Sequence, residues 1–222
     1  MSKSALLSSS LAKKYWMALT GLFLCLFLVI HLAGNTPLLW GDQEGFNEYS
    51  KFMTTFAPIK IVSYLLYAGI VFHSIDGILL TIQNRNARPQ KYAKNKPSAN
   101  SSWASRNMAF LGIILLAFII IHMRSFWFEY KFGVVPEVDG LKDLYTITVT
   151  AFEQWWYTLL YVVSMLAMGF HLSHGFQSSF QSLGLSHPKY TPLIKKVGMA
   201  YAIIISLGFA SIPAYIYINS VL

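Results

Sequence analysis

Residues 14–34 read KYWMALTGLFLCLFLVIHLAG, and Lys14 is the one formally charged side chain in the run. As a helix rising about 1.5 Å per residue, it extends about 30 Å, the thickness of a bilayer's hydrocarbon core. The run outlasts a signal-peptide core, and no small-residue cleavage site interrupts it before His31, so it is expected to be a retained span. Four further stretches, 58–84, 105–131, 153–181 and 191–219, have the same character. With 55% hydrophobic and only 12% charged residues over 222 positions, a soluble core is excluded. The sequence therefore predicts an all-α membrane protein, a single integral-membrane domain over 1–222 with five transmembrane helices in a bundle. No internal repeat is visible. Cys25 has no second cysteine to pair with and is expected to be packing.

Charge sets the expected orientation, because Lys and Arg near span ends stay on the cytoplasmic side. The N-terminal segment has Lys3, Lys13 and Lys14; the second connection has Arg85, Arg88, Lys91, Lys94, Lys96 and Arg106; the fourth has Lys189, Lys195 and Lys196. None of these regions contains an acid. Asp42, Glu44, Glu48, Glu129, Glu137, Asp139, Asp143 and Glu153 fall in the other connections or at the span ends beside them, leaving Asp76 as the carboxylate well within a span. The N-terminus is thus expected in the cytoplasm and the C-terminus outside. The net charge of +8 is spread over three loops without a nucleic-acid motif, so no nucleic-acid partner is expected. It makes the cytoplasmic face a basic platform for lipid headgroups or an acidic partner.

Four of the six histidines lie in four different spans. From the cytoplasmic side, His31 lies roughly 22 Å in from Trp16 and His122 roughly 21 Å in from Met108. From the outer side, His73 and His171 each lie roughly 21 to 24 Å in, measured from Ile59 and Trp155. Two coplanar pairs result, one in each half of the bilayer. A single intramembrane histidine serves equally well as a hydrogen-bond partner between helices. Four of them at two matched depths point instead to ligands, since polar groups in lipid are costly and mark function. A zinc or copper site fits less well, because neither level adds a cysteine or carboxylate ligand. Two stacked haems, each iron held between two imidazoles, fit better.

His174 follows His171 by three residues on nearly the same face, about 4.5 Å nearer the cytoplasm. Either could be the ligand; His171 matches the depth of His73 better, which would leave His174 at the haem edge or propionates. His187, next to Pro188, reads as a surface residue. Lys14, Ser10 and Arg106 at the inner boundary, with Arg124 beyond His122, are candidate propionate contacts. Lys14 and Arg106 read equally well as snorkelling anchors. Asp76 is expected to pair with a cation near the inner surface. Phe46, Tyr49 and Met53 form an amphipathic stripe suited to lying on the membrane over a quinone pocket, with Glu44 or Glu48 as a proton acceptor. Trp16, Trp40, Trp103, Trp127, Trp155 and Trp156 cluster at span ends and are expected to form interfacial belts.

The run Met17 to Gly21 ending in His31-Leu32-Ala33-Gly34-Asn35, the Phe72-His73 pair, His122, and His171-Leu172-Ser173-His174-Gly175 followed by Gln181-Ser182-Leu183-Gly184 resemble one family over nearly the whole chain. It is the single-chain, five-helix, di-haem cytochrome b anchor of succinate:quinone oxidoreductases, the succinate dehydrogenases and fumarate reductases. The resemblance implies that His31 and His122 ligate a distal haem b and His73 and His171 a proximal one. It implies a quinone-reactive anchor, the quinone being menaquinone, in a bacterial cell (inner) membrane. Its partners would be a flavoprotein and an iron–sulfur subunit on the cytoplasmic face. This chain has neither a Gly-rich nucleotide fingerprint nor a cysteine cluster, so flavin and iron–sulfur centres belong to other subunits. Two other readings stay open: a di-haem anchor of a hydrogenase- or formate-type dehydrogenase, and a haem-free membrane scaffold.

Overall fold

The computed structural model describes residues 9–87, 99 and 101–222. Lys3, Arg88, Lys91, Lys94 and Lys96 of the basic segments lie outside those residues. The long elements are α1 (Ser10–Asn35), α4 (Ala57–Asn86), α6 (Met108–His122), α9 (Trp155–Ser182) and α10 (Thr191–Val221). Between them lie α2 (Pro37–Trp40), α3 (Gln43–Thr55), α5 (Trp103–Arg106), α7 (Glu129–Phe132), α8 (Leu144–Phe152) and a two-residue ladder of β1 (Glu137–Val138) and β2 (Leu141–Lys142). Five helices, the third running unbroken from Met108 to Phe132, are long and apolar enough to cross a membrane. The expected spans 14–34, 58–84 and 191–219 fall within theirs, and the fourth helix begins at Trp155, two residues after the expected 153. The third differs at its start: Asn107 separates α5 from the span, so the helix entering the bilayer begins at Met108.

Helix starts follow ordinary capping. The Ser9 and Ser102 side chains accept from Ala12 N–H and Ser105 N–H, and Asp42 and Asp143 cap α3 and α8 in the same way. Proline occupies the first turn of α2, α4 and α10, where an N–H has no intrahelical partner. Asp139 and Gly140, both with positive φ, turn the β1–β2 hairpin in the way an Asp-Gly pair favours.

Contacts define an alternating bundle. Along α1, Met17, Thr20 and Phe23 meet Gly77, His73 and Gly69 of α4 in reversed order. Met108 and Gly112 of α6 meet Gly175 and His171 of α9, again reversed. The α9–α10 seam is the best-packed part: Gly169 opposes Ser206, Gly198 lies beneath the Phe176 ring, and Met165, Met168 and Leu172 pack on Ala202 and Ile205. Small residues let these backbones approach, which drives helix association where the solvent is lipid. Outward faces are apolar along the spans, for example Ile61, Leu65, Phe72, Ile75 and Leu79 of α4. Trp16, Trp40, Trp103, Trp155 and Trp156 are exposed near span ends, as interfacial belts require.

One expectation is corrected at the α2/α3 end. The α3 stripe does not lie outward on lipid: Phe46 is buried in a cluster with Leu38 and Phe152, and Tyr49 rests on Gly34 of α1. The docking is polar as well as apolar. Asn47 is fully buried, its Nδ2 donating to Asp143 Oδ1 at 2.9 Å and its Oδ1 accepting from Tyr145 N–H at 3.0 Å. That pairing with the N-cap of α8 fixes which face of α3 turns inward.

Candidate functional site

The fold brings the four span histidines together in two pairs. His31 of α1 and His122 of α6 have ring centres 5.8 Å apart with planes at 83°. His73 of α4 and His171 of α9 have ring centres 6.2 Å apart with planes at 66°. Because α1 and α6 run opposite to α4 and α9, the first pair lies toward the α3/α8 end and the second toward the end bearing Lys14 and Lys189. His171, not His174, opposes His73; His174 lies one turn further on and makes no ring contact among the described residues.

Each ring's two nitrogens are treated differently. Nδ1 of His122 is 3.1 Å from the Tyr161 hydroxyl, and Nδ1 of His73 is 3.2 Å from Thr20 Oγ1. Nδ1 of His31 is 3.5 Å from the Asn35 amide, the outer limit of a hydrogen bond, and that amide donates at 2.7 Å to the His31 carbonyl. Nδ1 of His171 is buried without a partner. Among the described residues, no hydrogen bond reaches Nε2 of any of the four. His122 and His73 each reach a hydroxyl of another helix through Nδ1. Here the opposed rings do not bond each other.

This donor set suits haem better than a bare metal ion. Two imidazole nitrogens about 2 Å from a shared metal place ring centres on the order of 6 Å apart, close to both observed separations. Among the described residues, no group of three or more His, Cys, Asp or Glu side chains could hold a metal ion, so each pair offers two ligands only. A macrocycle that brings four nitrogens of its own completes such a pair.

The surroundings of the two levels differ. His31 stacks on Phe27 at 5.0 Å and touches Phe209; His122 lies against Phe118 and Phe126. Directly after His122 the helix widens into a π segment, Met123–Phe128, whose extra residue sets Phe126 beside the His122 ring and sends Trp127 to Tyr67 of α4. At the other level the space is made by small residues: a Cβ on Gly21 would stand 3.3 Å from His73 Cε1, and one on Gly112 3.9 Å from His171 Cε1.

The remaining candidates separate. Lys14 is exposed at the end that also bears Lys189, without a hydrogen bond or ion pair among the described residues. Arg106 donates to the Ser101 carbonyl beside its own helix turn. Arg124 is turned away from the ring pair, ion-paired with Glu129 and lying over the Phe128 ring. Asp76 makes no ion pair among the described residues, contrary to the expected partner cation. His187 is exposed in the turn before α10, where its Nδ1 accepts from Lys189 N–H. Thr20 and Tyr161, the hydroxyls on the ring nitrogens, carry no sequence signal of their own. Hydroxyls are common in spans, and only the packing of α1 on α4 and of α6 on α9 gives these two their partners.

Comparison with known proteins finds no matching family model, no matching curated protein and no matching solved structure. On its own geometry the chain is a multi-pass helical membrane protein.

Proposed function

We propose that the chain is the membrane-anchor and electron-transfer subunit of a succinate dehydrogenase or fumarate reductase, linking an iron–sulfur subunit to a membrane quinone through two bis-histidine haems b. The observation that supports this most is the pair of neighbouring imidazoles at each of two levels, with ring centres 5.8 and 6.2 Å apart and no hydrogen bond at any of the four Nε2 atoms among the described residues. His31 and His122 would hold the distal haem, His73 and His171 the proximal one. Bound there, each haem supplies a one-electron carrier. The protein's contribution is to hold the rings, exclude water and surround each level with a different environment, all of which tune potential.

Sidedness follows from charge. Lys13, Lys14, Arg85, Arg106, Lys189, Lys195 and Lys196 gather at the end nearer His73 and His171. In a bacterial cell membrane that end would face the cytoplasm and receive the iron–sulfur and flavoprotein subunits. The quinone, menaquinone by resemblance, would react at the opposite end, near His31 and His122.

The test is a reduced-minus-oxidised visible spectrum of the purified protein with haem-to-protein stoichiometry. Two haems b are expected, each lost on replacing either member of one pair, with His174→Gln retaining both. Absence of haem bands would leave a scaffold. Two haems that co-purify without a flavin-bearing succinate-linked partner would move the reading to an anchor for a different dehydrogenase.

A further inference from the structure

At each level one ring is held through Nδ1 by a hydroxyl from another helix, and the opposed ring is not. The two hydroxyls are not equivalent. Tyr161 lies 3.1 Å from His122 Nδ1 and 3.1 Å from the Tyr157 hydroxyl, and either tyrosine can be the donor, so the direction of that relay can reverse. Thr20 has a nearer acceptor on its own helix. Its single hydroxyl proton is donated to the Trp16 carbonyl at 2.7 Å, with the Met17 carbonyl at 3.3 Å sharing the same side. With the proton placed on that nearer carbonyl, the oxygen accepts toward His73, at 3.2 Å.

From this we infer that Thr20 is a positioning residue that fixes the tautomer of His73. Nδ1 must carry the proton that is donated to Thr20 Oγ1, and Nε2 then presents its lone pair. A hydrogen bond accepted from Nδ1–H also makes the ring a stronger electron donor through Nε2. His171, opposite, has no such partner on Nδ1. The His73–His171 level is thus held in a ligand-ready state by a helix that itself carries His31, a member of the other pair.

The assignment of haem to this level rests on the function proposed above, whereas the tautomer does not. The experiment compares wild type, Thr20→Val, which keeps the shape and removes the acceptor, and Thr20→Ser, which restores it. Nitrogen-15 NMR of the protein in bilayers, prepared without haem, reads the tautomer, with the His73 signals assigned by their loss in His73→Gln. Wild type and Thr20→Ser are expected to show Nδ1–H, and Thr20→Val to lose that preference. Nε2–H in wild type, or no change in Thr20→Val, would overturn the inference whether or not haem binds.

Potentiometric titration of the haem-loaded protein gives the second readout. Thr20→Val is expected to raise the potential of one haem and leave the other in place, with Thr20→Ser returning it. Unchanged potentials with both haems retained would overturn Thr20's role in tuning. A preparation lacking haem altogether would instead defeat the function proposed, leaving the tautomer result to stand alone.

Discussion

Single side chains set what this bundle can hold. Gly21 is the clearest case, because a Cβ there would already press within 3.3 Å of the His73 ring. Gly21→Val is expected to push that ring off its position, so that haem analysis finds the His73–His171 level empty and the other level filled. Asp143 is a second case, at the opposite end of the molecule. Burial works against its charge, but hydrogen bonds from Thr146, Asn47 and Gln43 outweigh it and hold the carboxyl at about 2, below the ordinary 3.8. A carboxyl depressed on folding stabilises the native state fully above its unfolded value, and that contribution is lost as pH falls through the folded one. Thermal melts of wild type should therefore fall between pH 3.8 and 2 more steeply than those of Asp143→Asn, which has no proton to take up at this site.

Among elements, the connection between α3 and α8 shows how much of that end of the bundle depends on one buried amide. Asn47 bonds both the N-cap carboxylate of α8 and the Tyr145 N–H, so Asn47→Ala removes one bond from Asp143 Oδ1, which keeps Thr146 N–H, and strands the Tyr145 donor. A loss of about 1–3 kcal/mol is expected for such stranding, read as a lowered unfolding temperature with earlier proteolysis of residues 43–55. The sequence makes the long elements legible because twenty apolar residues have few alternatives to a span, and a rise of 1.5 Å per residue suffices to match His31 with His122 and His73 with His171. It leaves His171 and His174 unresolved, since residues three apart share a helix face, and only the three-dimensional placement of the His73 ring beside that of His171 decides between them. The π segment after His122 has no residue signature. Nor could the inward turn of α3 be read, because an amphipathic stripe looks the same whether it meets lipid or protein, and the deciding contact, Asn47 to Asp143, lies ninety-six residues away.

For the whole molecule, function depends on which end faces which compartment. The bundle alternates, so fixing one connection fixes all: the turn at His187 to Tyr190 and the hairpin at Asp139-Gly140 lie at opposite ends. The basic end is expected in the cytoplasm because moving cations near span ends across the bilayer is disfavoured, whereas carboxylates impose little bias. A Cys25→Ser background carrying either Lys189→Cys or Asp139→Cys tests this directly, since both positions are exposed and neither belongs to a ring pair. In intact cells, a membrane-impermeant thiol reagent should modify the Asp139→Cys protein and spare the Lys189→Cys protein, with the pattern reversed in inverted vesicles. The opposite result would put His73 and His171 in the outer half of the membrane. An iron–sulfur partner in the cytoplasm would then face the His31–His122 level, within its aromatic surroundings, and the electron path proposed here would have to run in the other order.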